Sequence, residues 1–330
     1  MIRYGILGFG HHGDRRLAPA FAATTTQSQL AGIWRRDQAK ARDNAQRYGI
    51  AHVFATPEEL CAAPEIDAVF VASPDALHRD HTLMALHHGK HVLCEKPLAM
   101  NSAEAEEMLR AAQEAGRTFG VAQNFRYNRS LERIRDVVRQ GAIGKPVFAS
   151  AHFSFLAQKS PRQWIYDASM ACGGPIGDVG IHAIDALRFV LEQEVTAVTT
   201  LAEQDAGSGP LEAAAALTLR FGGGTLACVQ VSFRARYRTL VEVTGSEGLL
   251  AAESGLTVDH PVELVHRQEG RILSTEEISN ADAYSRMLDA FALAAQGRGS
   301  YAAGGEDALQ NQRVLDAAFA SWRTGRTILF

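Results

Sequence analysis

Two segments of the chain carry side chains that suit proton transfer and oxyanion stabilisation. The first reads KHVLCEKPL over residues 90–98, with Lys96 just after the short apolar run His91–Cys94. A lysine at the end of a parallel strand lies over the carboxyl edge of the sheet, where open α/β folds bind ligands. Its ammonium could stabilise the charge that develops on an alkoxide. By position alone, a solvent-facing lysine fits equally well.

The second segment, residues 172–189, reads CGGPIGDVGIHAIDALRF. Asp178, His182 and Asp185 stand at i, i+4 and i+7, which predicts that a helix presents all three on one face. A carboxylate four residues from an imidazole can orient the ring and support its charge, as a general base requires. The alternative is a capping aspartate beside an ordinary half-buried histidine. No cysteine or third histidine stands at the spacing that a zinc site needs, so we expect no metal.

A glycine motif near the start of the chain points to a dinucleotide. Residues 5–13 read GILGFGHHG, so Gly8-x-Gly10-x-x-Gly13 directly follows the predicted strand Ile2–Leu7. Gly8 would permit the tight turn, Gly10 would let the backbone approach a pyrophosphate, and Gly13 would allow close packing of helix on strand. The helix that follows would offer free N–H groups to the phosphates. The alternative is a glycine-rich turn without a ligand.

The end of the second predicted strand, Leu30–Trp34, bears on which dinucleotide binds. Arg35 and Arg36 follow it, and guanidinium groups suit a ribose 2′-phosphate. Asp37 would instead accept the ribose hydroxyls of NAD if the strand ended later. Two solvated surface arginines are a further alternative. We predict NADP, with NAD as the alternative.

The pattern of the first half of the chain predicts the elements that position these residues. Short apolar runs alternate with amphipathic stretches, as in a parallel sheet with right-handed helical crossovers. Asn101 and Gly116 are typical of the two ends of a helix over Ala103–Ala115. The predicted strands are Ile2–Leu7, Leu30–Trp34, Ala68–Ala72, His91–Cys94 and Phe119–Phe125.

The second half has a different pattern, in which strands follow one another with tight turns between them. Gly222–Gly224 predicts an antiparallel hairpin. Predicted helices near 177–191 and 306–323 complete an α+β domain with helices on one face of a sheet. The predicted strands are Val147–Phe155, Val195–Ala202, Ala214–Phe221, Thr225–Phe233 and Thr239–Thr244.

Length and composition exclude several classes of protein. A chain of 330 residues is comfortable for two domains, and 33 basic against 37 acidic residues argue against a general nucleic-acid binder. No apolar run approaches the roughly 18 residues of a membrane helix. Strand-like sequence from Ile2 onwards leaves no secretory signal. Four scattered cysteines without a C-x-x-C pair predict a reducing, cytoplasmic location.

Several motifs, in this order, resemble those of the Gfo/Idh/MocA oxidoreductases, and the resemblance covers essentially the whole chain. Such a series is far more specific than the glycine motif alone. The motifs are Gly8-x-Gly10-x-x-Gly13, Ser73-Pro74, Gly89-Lys90-His91-Val92, Glu95-Lys96-Pro97, Gly141 to Pro146, Gly173-Gly174-Pro175 with Asp178 and His182, and Gly245-Ser246-Glu247-Gly248.

This resemblance implies a Rossmann domain over 1–122 and a substrate-binding and oligomerisation domain over 123–330, whose large open sheet is mainly antiparallel. It implies a catalytic set of Lys96, Asp178 and His182. The residues expected to bind the dinucleotide are Gly8, Phe9, Gly10, His11, His12, Gly13, Arg35, Arg36, Ser73, Pro74, His78, Glu95, Lys96 and Asn124. The residues expected to bind the substrate are Lys96, Arg126, Asn128, Trp164, Tyr166, Asp178 and His182.

Three positions depart from the pattern that many relatives show. Asp75 stands where many have asparagine, Ile165 where many have an arginine after the tryptophan, and Cys172 where many have glycine. The change at Ile165 bears on the polar contacts of the substrate more than on the chemistry.

The sequence therefore predicts a reversible NADP(H)-dependent oxidoreductase that acts on a secondary alcohol or ketone of a sugar or cyclitol. Within the family, it most resembles the NADP-linked aldose dehydrogenases and 1,5-anhydrofructose reductases. In this reading His182 exchanges the hydroxyl proton, Lys96 stabilises the alkoxide and Asp178 orients either of them. Two alternatives remain: a non-redox lyase or glycosidase that uses bound dinucleotide transiently, and a sensor that binds dinucleotide and sugar without catalysis.

The strand Thr225–Phe233 predicts an assembly of identical subunits. Its residues alternate between a fully apolar set and a semi-polar set, which suggests one face under helices and the other against a partner subunit. A solvated sheet face is the alternative. We predict a homodimer or a higher homo-oligomer.

Overall fold

The computed structural model describes residues 1–23, 26–205 and 209–330. These residues form two compact units, Met1–Gln123 with Tyr284–Gln312, and Asn124–Ala283 with Arg313–Phe330. The sequence predicted one boundary between residues 122 and 123, and the structure differs over residues 284–312. That segment returns to the first unit because its apolar side chains pack there and the buried Tyr4 hydroxyl donates to the Leu288 carbonyl at 2.9 Å.

The sheet of the first unit is parallel throughout and has the strand order β3-β2-β1-β4-β5-β6. This is the order of a dinucleotide-binding doubly wound fold, so the predicted fold class is confirmed. The order reverses between β1 and β4, whose carboxyl ends flank the crevice where such folds bind ligands. The strands are β1 (Ile2–Leu7), β2 (Ser28–Trp34), β3 (His52–Val53), β4 (Ala68–Val71), β5 (His91–Cys94) and β6 (Phe119–Val121).

The last predicted strand of this sheet, Phe119–Phe125, is shorter in the structure. β6 ends at Val121, and Asn124–Tyr127 form a 3₁₀ turn instead. The predicted helix Ala103–Ala115 is confirmed, since the structure has a helix over Ser102–Ala115. It begins there because the Asn101 side chain accepts a hydrogen bond from the Glu104 amide.

Nine α-helices occur in the described parts of the chain. They are α1 (Ala18–Ala23), α2 (Gln38–Tyr48), α3 (Pro57–Ala62), α4 (His78–His87), α5 (Ser102–Ala115), α6 (Arg129–Arg139), α7 (Ile181–Leu191), α8 (Ala283–Ala295) and α9 (Gly305–Thr324). None of these helices is both long and apolar enough to cross a bilayer.

The second unit contains a nine-stranded sheet of order β14-β13-β12-β11-β7-β10-β9-β8-β15. β7 and β10 are parallel, and the other neighbouring strands are antiparallel, as predicted for a mainly antiparallel sheet. The strands are β7 (Pro146–Ser154), β8 (Val195–Glu203), β9 (Ala214–Phe221), β10 (Leu226–Ser232), β11 (Arg238–Gly245), β12 (Leu249–Glu253), β13 (Val262–Gln268), β14 (Arg271–Ile278) and β15 (Ile328–Leu329).

The two faces of this second sheet differ in what covers them. α7 packs against β7 and β11, and α6 packs against α7. Along β10, Ala227, Val229 and Val231 are buried, whereas Leu226, Cys228 and Gln230 alternate with them and are exposed. The predicted alternation of this strand is therefore confirmed, with one face buried under helices.

Candidate active site

The glycine loop after β1 leaves backbone accessible where a pyrophosphate would lie. Gly8 has a φ of +87°, and a Cβ there would stand 2.8 Å from the Ser73 nitrogen, so only glycine fits. A Cβ on Gly10 would meet no atom closer than the Gly8 oxygen at 3.7 Å, which marks open space beside the backbone. The loop leads into a π-helical turn, Gly13–Leu17. This geometry fits a dinucleotide phosphate at the loop.

Phe9 supports the loop from inside and does not present its ring to a ligand. Its side chain is fully buried, 6.3 Å from the Tyr48 ring, and a Cβ on Gly13 would lie 3.0 Å from it. A contact between Phe9 and the dinucleotide is therefore limited to its backbone. His11, two residues after Phe9, is exposed.

A contact between an imidazole and a carboxylate connects the glycine loop to the end of β5. His12 Nε2 lies 2.9 Å from Glu95 Oε1. Burial opposes ionisation of Glu95, but the neighbouring His12 and then Lys96 lower its pKa to about 2. Lys96 is the next residue, half-buried, and its peptide bond to Pro97 is cis. The E-K-P motif thus ties the lysine to the dinucleotide loop through its glutamate.

His78 joins the Ser73-Pro74 loop to the E-K-P loop. Its Nδ1 lies 2.8 Å from the Pro97 carbonyl oxygen and its Nε2 lies 2.9 Å from the Ser73 carbonyl oxygen. Because both partners are acceptors, both ring nitrogens must carry protons, as only the imidazolium does. Burial lowers the pKa of His78, but the Cys94 sulfur and the Asp75 carboxylate outweigh burial and raise it to about 10.

His78 lies inside the protein, whereas the sequence predicted that it binds the dinucleotide. The residue is 0% exposed, so it holds the two loops from below, where the sequence predicted a contact with the dinucleotide. His81 supports the same loop, with Nδ1 3.0 Å from the Ser73 hydroxyl. Burial and then the His78 charge lower the pKa of His81 to about 4, so this second imidazole is neutral. Pro74, next to Ser73, is half-buried.

Arg35 and Arg36 follow β2 at the carboxyl edge of the same sheet. Arg35 Nη1 donates to Asn44 Oδ1 at 2.9 Å, and Asn44 in turn donates to Asp14 at 3.2 Å. Arg35 is half-buried and Arg36 is exposed. One of the two guanidinium groups is thus held in place by α2, and the other lies in solvent beside it.

The acidic candidate for the ribose, Asp37, begins α2. Its side chain accepts a bond from the Lys40 amide at 3.1 Å, which makes it the N-cap of the helix. This backbone bond lowers the pKa of Asp37 below its ordinary value. Capping therefore already accounts for an acidic residue at this position.

In the second unit, Asp178 is held by an arginine that the sequence did not single out. Arg162 Nη1 and Nη2 donate to the two Asp178 carboxylate oxygens at 2.9 and 2.8 Å. Asp178 lies in a π-helical turn, Ile176–Gly180, that precedes α7. Because a π turn has a wider spacing than an α-helix, the angle between Asp178 and His182 differs from the one that a continuous α-helix would give.

His182 lies among aromatic rings at the start of α7. Its ring centroid is 4.6 Å from that of Phe125 and 6.1 Å from that of Phe153, and the residue is 8% exposed. Close aromatic contacts fix the plane of the imidazole, as a proton-transfer group requires.

Asp185, the third acidic or basic residue of the predicted face, pairs with Arg126. Arg126 Nε and Nη2 donate to Asp185 Oδ1 at 2.9 and 2.6 Å, and the two side chains are 6% and 2% exposed. The Arg126 guanidinium also lies 5.8 Å from the Phe189 ring centroid. The sequence predicted that Arg126 binds the substrate, and the structure instead places it in a buried ion pair that anchors α7.

Asn128 is likewise internal. It is 0% exposed, and its amide donates to the carbonyl oxygens of Gly255 and Thr257 at 3.4 and 3.2 Å. It therefore fastens a loop of the second unit, whereas the sequence predicted a substrate contact. Asn124 differs, since its buried Nδ2 has no hydrogen-bond partner among the described residues.

The loop before the glycine turn carries the remaining substrate candidates. Trp164 and Tyr166 lie in a 3₁₀ turn and are half-buried, whereas Ile165 between them is 1% exposed. Ile165 thus belongs to the core and cannot replace an arginine at the substrate. Tyr166 lines a cavity of about 200 Å³ together with the buried Glu212.

Glu212 is a second residue that the sequence gave no reason to select. Its carboxylate accepts a bond from the Ile176 amide at 2.8 Å, and a Cβ on Gly174 would lie 1.9 Å from its carbonyl oxygen. Burial raises the pKa of Glu212. Glu212 and Arg162 both come from loops distant in sequence from Asp178, so no local spacing could identify them.

The structure groups the predicted residues within each unit. Around the glycine loop of the first unit lie His12, Ser73, His78, Glu95 and Lys96, and around the π turn of the second lie Asp178 and His182. In the described parts of the chain, no three His, Cys, Asp or Glu side chains could hold a metal ion.

Two family models match the chain. One, described as the oxidoreductase family with an NAD-binding Rossmann fold (GFO_IDH_MocA), matches residues 2–123. The other, described as the GFO/IDH/MocA C-terminal domain, matches residues 131–251.

Similar proteins match over almost the full length. The chain is 33% identical to a 1,5-anhydro-D-fructose reductase of Ensifer adhaerens, over 99% of this chain and 98% of that protein. It is 30% identical to a D-xylose 1-dehydrogenase (NADP(+)) of Haloferax volcanii, over 99% of each. A crystal structure of an aldose-aldose oxidoreductase from Caulobacter crescentus, with glycerol bound, has a TM-score of 0.91 and 27% identity, covering 100% of this chain and 99% of that one.

Proposed function

Because the chain belongs to the Gfo/Idh/MocA oxidoreductase family, we propose that it transfers a hydride between NADP(H) and a secondary alcohol or ketone carbon of a sugar or cyclitol. The observation that carries this proposal is the full-length similarity to proteins named for sugar substrates, in a chain that has both Lys96 and His182. The bound nicotinamide supplies the hydride chemistry.

His182 is proposed to exchange the proton of the substrate hydroxyl. An imidazole has an ordinary pKa of about 6.5, so it can take the proton during oxidation and return it during reduction near neutral pH. The aromatic contacts to Phe125 and Phe153 support this role, because they hold the ring in one plane.

Lys96 is proposed to stabilise the negative charge on the substrate oxygen while the proton moves. Its ammonium is a compact charge with three donors, which suits a developing alkoxide. The His12–Glu95 pair supports this role, since it anchors the residue next to Lys96 in the chain. Asp178 is proposed to complete the set as an ionised acceptor of substrate hydroxyls.

NADP(H) is proposed as the preferred cofactor. Arg35 and Arg36 offer guanidinium groups to a 2′-phosphate, and the Asp37 side chain caps α2. The printed name of the Haloferax relative, which includes NADP(+), supports the same choice. Ser73, Pro74, His11, the backbone of Phe9 and Asn124 are proposed to line the dinucleotide, with Trp164 and Tyr166 near the substrate.

We also propose a reducing, cytoplasmic location. All four cysteines are free thiols, three of them buried. This fits a protein that does not depend on disulfides.

The experiment is a screen of sugars, cyclitols and their keto forms against both cofactors, followed at the absorbance of reduced nicotinamide. We expect turnover with at least one sugar or cyclitol and a higher kcat/KM with NADP(H). Consumption of substrate without a net change in reduced nicotinamide would indicate a lyase or glycosidase. Saturable sugar binding without any turnover would indicate a sensor.

A further inference from the structure

We propose that Arg162 is a substrate-binding residue and that Arg162 and Asp178 together bind two adjacent hydroxyl groups of the substrate. The inference rests on the proposed function, because it specifies which feature of a polyol that site recognises. It concerns an arginine that neither the motifs nor the spacing of the sequence identified.

Arg162 and Asp178 form a bidentate ion pair. Both Arg162 terminal nitrogens donate, one to each Asp178 oxygen, at 2.9 and 2.8 Å. Bidentate pairs of this kind fix the plane of the carboxylate as well as its position. The Asp178 carboxylate is therefore ionised and oriented before any ligand arrives.

The exposure of this pair distinguishes it from an ion pair that only supports the fold. The side chains of Arg162 and Asp178 are 29% and 9% exposed, whereas those of Arg126 and Asp185 in the same unit are 6% and 2% exposed. The Arg126–Asp185 pair is closed off, and a ligand cannot reach it. The Arg162–Asp178 pair keeps part of its guanidinium surface accessible.

The chemistry of an accessible pair matches a vicinal diol. An ionised carboxylate accepts hydrogen bonds from hydroxyl groups, and a guanidinium donates to hydroxyl oxygens. Side by side, they present an acceptor next to a donor, which two neighbouring hydroxyls can engage at once, one donating and the other accepting. A lone hydroxyl would use only half of this arrangement.

The backbone on both sides of the pair is anchored, so the arrangement is preorganised. The Arg162 amide donates to the Ser160 hydroxyl at 3.2 Å, and the Arg162 carbonyl accepts from the Ile165 amide at 3.3 Å. The π turn that carries Asp178 is held by Glu212, which accepts from the Ile176 amide at 2.8 Å. Supported groups of this kind bind a ligand without a large ordering cost.

The test compares the best polyol substrate with its monodeoxy analogue, which lacks the hydroxyl next to the reacting carbon, in wild type, Arg162→Gln and Arg162→Lys. Steady-state KM and kcat are measured together with calorimetric binding of both compounds. Arg133→Gln is the matched control, because Arg133 forms a bidentate pair with Glu276 on the surface of the same unit.

We expect wild type and Arg133→Gln to favour the diol over the deoxy compound by about 10- to 100-fold in KM and in binding, the value of one hydrogen bond to a charged group. Arg162→Gln should lose most of this discrimination through KM, and Arg162→Lys should keep an intermediate part. Unchanged discrimination in Arg162→Gln would overturn the inference. So would an equal loss for both compounds, or a loss confined to kcat, because either would indicate a purely structural arginine.

The same measurements separate this inference from the proposed function. Diol-selective binding that depends on Arg162, in a protein that never oxidises or reduces the ligand, would overturn the redox function and retain the inference. Redox turnover without diol selectivity would retain the redox function and overturn the inference about Arg162.

Discussion

The charged residues that the sequence singled out are paired with side chains from other segments of the chain. Glu95 lies beside His12, Asp178 is held by Arg162, and Asp185 pairs with Arg126. The residue types and their motifs could be predicted from local spacing, since each motif is a short run. Their ion-pair partners could not be predicted. A bidentate pair between residues 16 or 59 positions apart depends on tertiary packing.

Cofactor preference is proposed to depend on two side chains, Arg35 and Arg36. We expect NADP(H) to exceed NAD(H) in kcat/KM by roughly ten- to several-hundred-fold, the value of two charge-assisted contacts less losses to solvent. Arg35→Asp should reverse the order, because a carboxylate accepts ribose hydroxyls and repels phosphate. Arg36→Ala should weaken NADP binding and leave NAD binding nearly unchanged.

The control for this prediction is Asp37→Asn, since asparagine also caps helices well. It should leave the preference for NADP intact. A wild-type preference for NAD that Asp37→Asn abolishes would contradict the assignment and make Asp37 the ribose acid.

The buried charge of His78 predicts a pH-dependent contribution to stability. Its pKa rises from 6.5 to about 10 on folding, so the native state binds the proton more tightly. The stabilisation is complete below the unfolded-state pKa and is lost as the pH rises through the folded-state pKa. The difference in unfolding free energy between wild type and His78→Gln should therefore shrink from about pH 6 to about pH 10.

Chemical denaturation across this pH range measures the difference. A difference for His78→Gln that stays constant with pH would contradict the charged state.

At the scale of elements, apolar alternation predicted most strands but missed several at the edge of the second sheet. β14 is exposed along nearly its whole length, and β13 alternates only over Val262–Leu264 before it ends in polar residues, so neither shows a sustained alternation. α6 was not predicted either, although its buried residues Leu131, Ile134 and Val137 recur at the spacing of one helix face. The edge strands form by pairing with a neighbouring strand, which is not a local signal.

The glycine loop yields a matched pair of variants. At Gly8, a methyl group would strain a positive φ and collide with Ser73, so Gly8→Ala should lower both stability and dinucleotide affinity. At Gly10, the protein leaves room for a methyl group, so Gly10→Ala should fold with a near-normal Tm. It should nonetheless lose dinucleotide affinity, because the methyl group would occupy the space beside the backbone that the phosphate approaches.

Thermal melts and fluorescence titration with NADPH check both variants. Gly10→Ala that binds NADPH as tightly as wild type would contradict the placement of the phosphate at this loop.

At the scale of the whole molecule, the uncovered face of the second sheet predicts self-association. Phe148 and Leu226 are 56% and 42% exposed and lie directly beside each other on paired strands, and Leu201, 77% exposed, lies farther along the same sheet. Exposed apolar clusters on a sheet are typical of an interface. We propose a homodimer or higher homo-oligomer that buries this face.

Light scattering at micromolar concentration measures the assembly. We expect a mass of at least two chains, and Leu226→Lys combined with Phe148→Lys should lower it by placing charge in the contact. A monomeric mass for the wild type would contradict this prediction.

Hydride is proposed to pass between the nicotinamide and a secondary carbon of the substrate. The most direct measurement is label transfer from NADPH deuterated at C4, prepared in either stereochemical form, to a keto sugar that turns over. We predict one deuterium on the new secondary alcohol carbon from one of the two forms, with one NADP⁺ released per product. Lys96→Ala and His182→Ala should each slow the transfer by about 10²- to 10⁴-fold. Product formed without label from either form would contradict hydride transfer.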